Sequence, residues 1–143
     1  MELLIIVFLL GGLFLGWSLG ANDAANVFGT AVGTRMIQFK TAAIVCSIFV
    51  ILGAIISGAG TTETLGKLGA INALPGAFAV CVAAGLSVYI MTKAGLPVST
   101  TQAIVGAIIG WNLYTGSSTN IQVLITILST WVLCPIIAGL IAM

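Results

Sequence analysis

The stretch 16–35, GWSLGANDAANVFGTAVGTR, decides how this chain is read. An Asn-Asp pair, Asn22 and Asp23, and a second asparagine, Asn26, interrupt a run that is otherwise apolar and rich in Gly and Ala. Glycines at four-residue spacing flank the polar group: Gly12, Gly16 and Gly20 before it, Gly29 and Gly33 after it. Small residues at that interval let helix backbones approach closely in lipid. At about 1.5 Å per residue, residues 3–32 are too long for one straight crossing. The polar group falls between the two glycine sets, so the sequence predicts a helix broken near residues 20–23. The plainer alternative makes Asp23 a helix N-cap with Asn26 in the first turn.

Composition shows why polar residues in such a run matter. Of the 143 residues, 60% are hydrophobic and 5% charged, and the mean hydropathy is +1.28. A soluble surface needs about a quarter of its residues charged. A water-soluble fold is excluded and an integral membrane protein is expected, multi-pass, in the plasma or inner membrane and in contact with its lipid. A crossing takes roughly 20 apolar residues, so the length accommodates about five segments. Residues 1–143 are expected to form a single transmembrane unit with no separate soluble domain. The apolar start lacks the basic region and cleavage site of a signal peptide and reads as a retained helix. Cys46, Cys81 and Cys134 lie in hydrophobic runs without CxxC spacing, and the chain has no His. They read as packing residues, and neither an enzyme nor a cofactor is expected. A net charge of +1 gives no electrostatic case for nucleic acid.

Beyond the first segment, residues 41–57 form a second, followed by a polar, Gly-rich stretch over 58–72 that carries Glu63 and Lys67. Residues 74–91 form a third, closed by Lys93. Pro97 and Val98 disfavour helix, and Ser99 with Gln102 three residues later has the spacing of a capping box. About 12 residues, roughly 18 Å of helix, then precede Trp111, Asn112 and Tyr114. That is too short to cross, so a re-entrant half-helix or half of a broken span is expected. Residues 121–142 make a last crossing, interrupted by Pro135. The expected fold is all-α, with about four to five transmembrane or re-entrant segments and broken helices.

An ionisable residue in lipid costs several kcal/mol and is retained mostly where it lines a path or site. Asp23, with Asn22, Asn26 and carbonyls freed by a helix break, offers oxygens to a hard cation such as Na⁺. Ser99, Thr100, Thr101 and Gln102 stand at a helix N-terminus, where free N–H groups and the positive dipole end favour an anion. Ordinary capping and helix–helix hydrogen bonds are the alternative there. Glu63 reads equally as a site acid or as a solvated loop acid.

Four stretches carry a family resemblance, in family order. GANDAANVFGTAVGTR (20–35) is similar to the signature GANDVANAFGTSVG of the inorganic phosphate transporter (PiT) family. TTETL (61–65) resembles its acidic segment, GLPVSTTQAIVGAIIG (95–110) its PVSTTH-type motif, and STWVLCPIIAGLIA (129–142) its Trp-x-x-Ser-Pro pattern. The resemblance implies cation-coupled import of inorganic phosphate, with Na⁺ commonly and H⁺ in some members. It implies that Ser99, Thr100, Thr101, Gln102 and Asp23 bind substrate, and that Asn22, Asp23, Asn26 and Glu63 bind the ion. Gln102 stands where the family commonly has His, which removes a proton relay and favours Na⁺. Cys134 stands in place of Ser. Family members carry two repeats of inverted topology, and this chain matches one. The missing half is expected from an antiparallel homodimer, a second half-transporter chain, or the rest of a longer protein. Three basic residues against one across the membrane orient the chain weakly, which permits dual insertion. A sulfate or other oxyanion transporter is the nearest alternative; a non-transporting membrane subunit or receptor is another.

Overall fold

The computed structural model describes residues 2–69 and 74–143, and these fold as five helices. They are α1 (Glu2–Gly33), α2 (Phe39–Leu68), α3 (Leu74–Lys93), α4 (Thr100–Thr115) and α5 (Ile121–Ala142). Four of them, all but α4, are long and apolar enough to cross a membrane. At 16 residues α4 rises only about 24 Å, short of the hydrocarbon core of about 30 Å.

The break expected near residues 20–23 is absent: α1 continues through Asn22 and Asp23 to Gly33. Ala21, Ala24 and Ala25 are strong helix formers, and a lone glycine costs a helix only about 1 kcal/mol. The polar side chains find partners across the helix seam, so the backbone has no need to unwind. Glu63 likewise lies inside a helix. Threonine hydroxyls on either side of it donate to carbonyls one turn back, Thr62 to Gly58 and Thr64 to Gly60. Glu63 itself pairs with Lys67 at i,i+4, a spacing that supports helix. The polar stretch therefore extends α2 to Leu68, and its last residues, 70–72, lie outside those described. Pro135 also sits within α5 without ending it.

Residue pairing fixes the layout. Phe8 meets Phe78, Phe14 abuts Gly85, and Thr92 bonds to Asn22, so α1 and α3 run side by side in the same direction. Trp111 covers Gly76 near the start of α3 while Thr100 reaches Asp23 near its end, so α4 runs back against α3. Helix α3, the turn over residues 94–99 and α4 thus form a hairpin whose tip lies beside Asn22 and Asp23. Helix α1 carries on past that tip for about 15 Å. The helical framework is interrupted at the hairpin tip, not on α1.

Local signals build the tip. Gly95 adopts φ 72° after α3, and Leu96 N–H donates to the Met91 carbonyl. Ser99 then caps α4, its Oγ accepting from Gln102 N–H at 3.4 Å. At the far end Gly116 takes φ 69° and Ser117 N–H donates to the Asn112 carbonyl, closing the helix. The core lies there too: Leu68, Val80, Val105 and Ile108 are buried against Trp111 and, from α5, Ile127 and Trp131.

The α1–α3 seam depends on missing side chains. A Cβ on Gly85 would meet the Phe14 ring at 2.8 Å, whereas one on Gly53 would meet open space. Gly85→Val should lower stability by about 1–3 kcal/mol, and Gly53→Ala should leave it unchanged or raise it by up to about 1 kcal/mol. Thermal unfolding in detergent, read by size-exclusion fluorescence, checks both.

Candidate functional site

Asn22 is the hub of the polar cluster. It is 3% exposed and every polar atom of its side chain has a partner. Its Nδ2 donates to the Val98 carbonyl at 2.8 Å, crossing from α1 to the hairpin tip, and to Asp23 Oδ1 at 3.0 Å. Its Oδ1 accepts from Thr92 Oγ1 of α3 at 3.4 Å. Thr100, the first residue of α4, is buried and donates from Oγ1 to Asp23 Oδ2 at 3.3 Å. The structure thereby joins the neighbours Asn22 and Asp23 to Thr100, which stands 77 residues after Asp23 in sequence. The Asp23 side chain sits at the α4 N-terminus, with one face exposed.

The other residues at the start of α4 face different ways. Ser99 and Gln102 line a pocket of about 320 Å³ with Ser87, Met91 and Pro97. Thr101 faces a cleft of about 420 Å³ with Ser57, Thr61 and Thr64 of α2. Gln102 N–H is taken by Ser99 Oγ, and the first intrahelical bond runs from Ala103 N–H to the Ser99 carbonyl. That leaves the Thr100 and Thr101 amides as the helix-end donors. Asn26 lies exposed one turn beyond Asn22 on α1. Glu63 is bonded to Lys67 on its own helix and is not joined to the Asp23 cluster. A larger apolar cavity of about 480 Å³, between α1 and α2, is lined by small residues such as Gly20, Ala24 and Ala43 and contains none of these polar groups.

Sequence reasoning missed Thr92, whose one signal was a hydroxyl in the last turn of an apolar segment. It also missed the Val98 carbonyl, which carries no side-chain signal at all. Ser18, one turn before Asn22 on α1, is 2% exposed, and its hydroxyl has no partner among the described residues.

Chemically, the cluster sets one carboxylate and several neutral oxygens beside a donor-rich helix end, inside a bundle of apolar helices. In lipid, such ionisable and polar groups are retained mostly where they line a path or a site. The model of the phosphate transporter family matches residues 19–143, a span that includes every residue of the cluster. The chain belongs to that family and is a multi-pass membrane protein.

Particular relatives illustrate the family. A Pyrococcus furiosus protein assigned as a phosphate permease is 35% identical over 150 residues, covering 97% of this chain and 36% of that protein. A Plasmodium falciparum protein named a sodium-dependent phosphate transporter is 35% identical over 138 residues, 88% of this chain and 20% of its own length. A chloroplastic inorganic phosphate transporter of Arabidopsis thaliana is 31% identical over 153 residues, 99% of this chain and 26% of its own length. The chain thus spans no more than 36% of the length of these relatives. No solved structure matches it.

The hub can be tested apart from any transport. Asn22→Leu leaves the half-buried Val98 carbonyl without its donor and should lower stability by about 1–3 kcal/mol. Amide exchange over residues 94–99 should accelerate with it. Asn26→Ala, at an exposed position, should stay within about 0.5 kcal/mol of the parent.

Proposed function

We propose that this chain is one repeat of a cation-coupled inorganic phosphate symporter, with Na⁺ as the coupling ion. The observation that carries the reading is the bond from Thr100 to Asp23. It sets a carboxylate against the N-terminus of a helix that is short of a full crossing, within a chain of the phosphate transporter family. Phosphate cannot enter lipid with its charge unpaired. No Lys or Arg lies in the Asn22–Asp23–Thr100 cluster to neutralise it, so the cation does.

Asp23, with Asn22 and Asn26, holds Na⁺. The Thr100 and Thr101 amides and the hydroxyls of Ser99, Thr100 and Thr101, with the Gln102 side chain, hold phosphate. Asp23 also accepts a hydrogen bond from the O–H that phosphate keeps and sulfate lacks at neutral pH, so an unpaired acceptor penalises sulfate. Glu63 serves as a further acid on the ion's route, outside the central cluster. Each net positive charge moved inward gains about 2.3 kcal/mol per 100 mV of membrane potential. Glutamine at position 102 and the Plasmodium relative's printed sodium dependence both favour Na⁺ over H⁺.

A second repeat completes the site, and an antiparallel second copy is the source we favour. The parallel run of α1 and α3 places Arg35, Lys40 and Lys93 toward one end of the bundle and Lys67 toward the other. So small an imbalance lets a chain insert in either sense.

The test is ³²P-phosphate uptake into sealed liposomes containing the purified chain. An inward Na⁺ gradient should drive accumulation, and Asp23→Asn, inserted to the same level, should reduce it at least about a hundredfold, since the cluster's one carboxylate is then lost to the ion. Full activity of that variant would defeat the site, and gradient-driven ³⁵S-sulfate uptake in place of phosphate would transfer the reading to a sulfate carrier.

A further inference from the structure

We propose that Thr92, on α3, is a direct ligand of the coupling cation, paired with Asn22 Oδ1; this deepens the site reading above and rests on it. Two distances in the cluster point to it. Thr92 Oγ1 and Asn22 Oδ1 are 3.4 Å apart, and Thr100 Oγ1 and Asp23 Oδ2 are 3.3 Å apart. Good O–H···O hydrogen bonds span about 2.5–3.0 Å. Hydroxyl contacts within single helices of this chain range from Ser129 to the Ile125 carbonyl at 2.7 Å to Thr61 to the Ser57 carbonyl at 3.5 Å, whereas the two cluster pairs join side chains of separate helices. The two pairs in the cluster are both longer than a hydrogen bond prefers.

They match a different geometry. A hard cation of the size of Ca²⁺, which Na⁺ closely shares, holds oxygens at about 2.4 Å. Two such oxygens at right angles around the ion are then separated by about 3.4 Å. Each pair is the edge of a cation's coordination shell, and each edge joins α1 to a different element: α3 through Thr92, and α4 through Thr100, whose oxygen faces the ion while its proton is free to donate to phosphate.

Charge selects the kind of ion. The cluster contains one carboxylate, and the remaining oxygens on the two edges are an amide and two hydroxyls. Divalent sites concentrate several carboxylates around the metal, and among the described residues no cluster of three acidic, His or Cys side chains exists. One negative charge among neutral oxygens suits a monovalent cation. Asn22 Nδ2 is committed to Val98 and Asp23, so the amide presents its oxygen, and not its nitrogen, toward Thr92. Thr92 is half-buried, so the edge can be approached from the C-terminal end of α3. The hydroxyl donates weakly to Asn22 when no ion is present and turns a lone pair to the ion when it binds.

Equilibrium ²²Na⁺ binding to the purified full chain in detergent tests this without transport. Thr92→Val keeps the shape and removes the oxygen; it should raise the half-saturating Na⁺ concentration at least about tenfold, while Thr92→Ser should stay within about threefold. Size-exclusion profiles should be unchanged. If valine disturbs folding, Thr92→Cys replaces it, since a soft sulfur is a poor ligand for a hard ion, and the same rise is expected. Wild-type affinity in whichever of these two variants folds overturns the proposal. If Asp23→Asn nevertheless weakens binding, only Thr92 falls and the Asp23 site stands. An absence of ²²Na⁺ binding in the parent chain overturns both.

Discussion

A buried primary amide cannot be left without partners, and Asn22 is buried on a helix whose neighbours are almost all apolar. Its donors and acceptor must be met by whatever lies across the seam, at a cost of about 1–3 kcal/mol for each group that is not. The Val98 carbonyl, Asp23 and Thr92 meet them. From that requirement the site follows. The tip of the α3–α4 hairpin is held against the middle of α1, the start of α4 comes up against Asp23, and a polar cluster forms within an apolar bundle. The glycines of the seam serve the same end. Gly85 admits Phe14 and Gly11 lies against Phe78, so α1 and α3 come close enough for Asn22 to reach across.

Much of this was legible in the sequence where the determinants are local. The membrane class followed from composition, and the last helix was expected over the residues it occupies. Ser99 was readable as a cap because the group it bonds lies three residues away. Expectation failed where partners are distant. A polar group within α1 suggested a broken helix because its true partners, Val98 and Thr100, lie 76 and 77 residues on. Glu63 suggested a loop because the glycines and threonines around it weaken helix in isolation. The backbone-directed hydroxyls and the Lys67 pair restore it. Thr92 was invisible as a site residue, since one hydroxyl in an apolar run has no pattern to reveal it.

The family and the geometry answer different questions. Membership of the phosphate transporter family rests on a match that covers nearly all of the chain. Helix α1 carries an acid and an amide within an apolar run without unwinding. The signature motifs are not one undivided pocket: Thr100 joins the Asp23 cluster, Ser99 and Gln102 open to one side, and Thr101 faces α2. Such a fan of polar groups around one helix end suits a site completed by a second repeat.

The central claim is that a cation at Asp23 makes the adjoining helix end able to hold phosphate. Equilibrium ³²P-phosphate binding to the purified protein, compared in Na⁺ and in K⁺ at equal ionic strength, tests it most directly. The account predicts saturable binding in Na⁺ that is lost in K⁺. Equal binding in the two salts would contradict it.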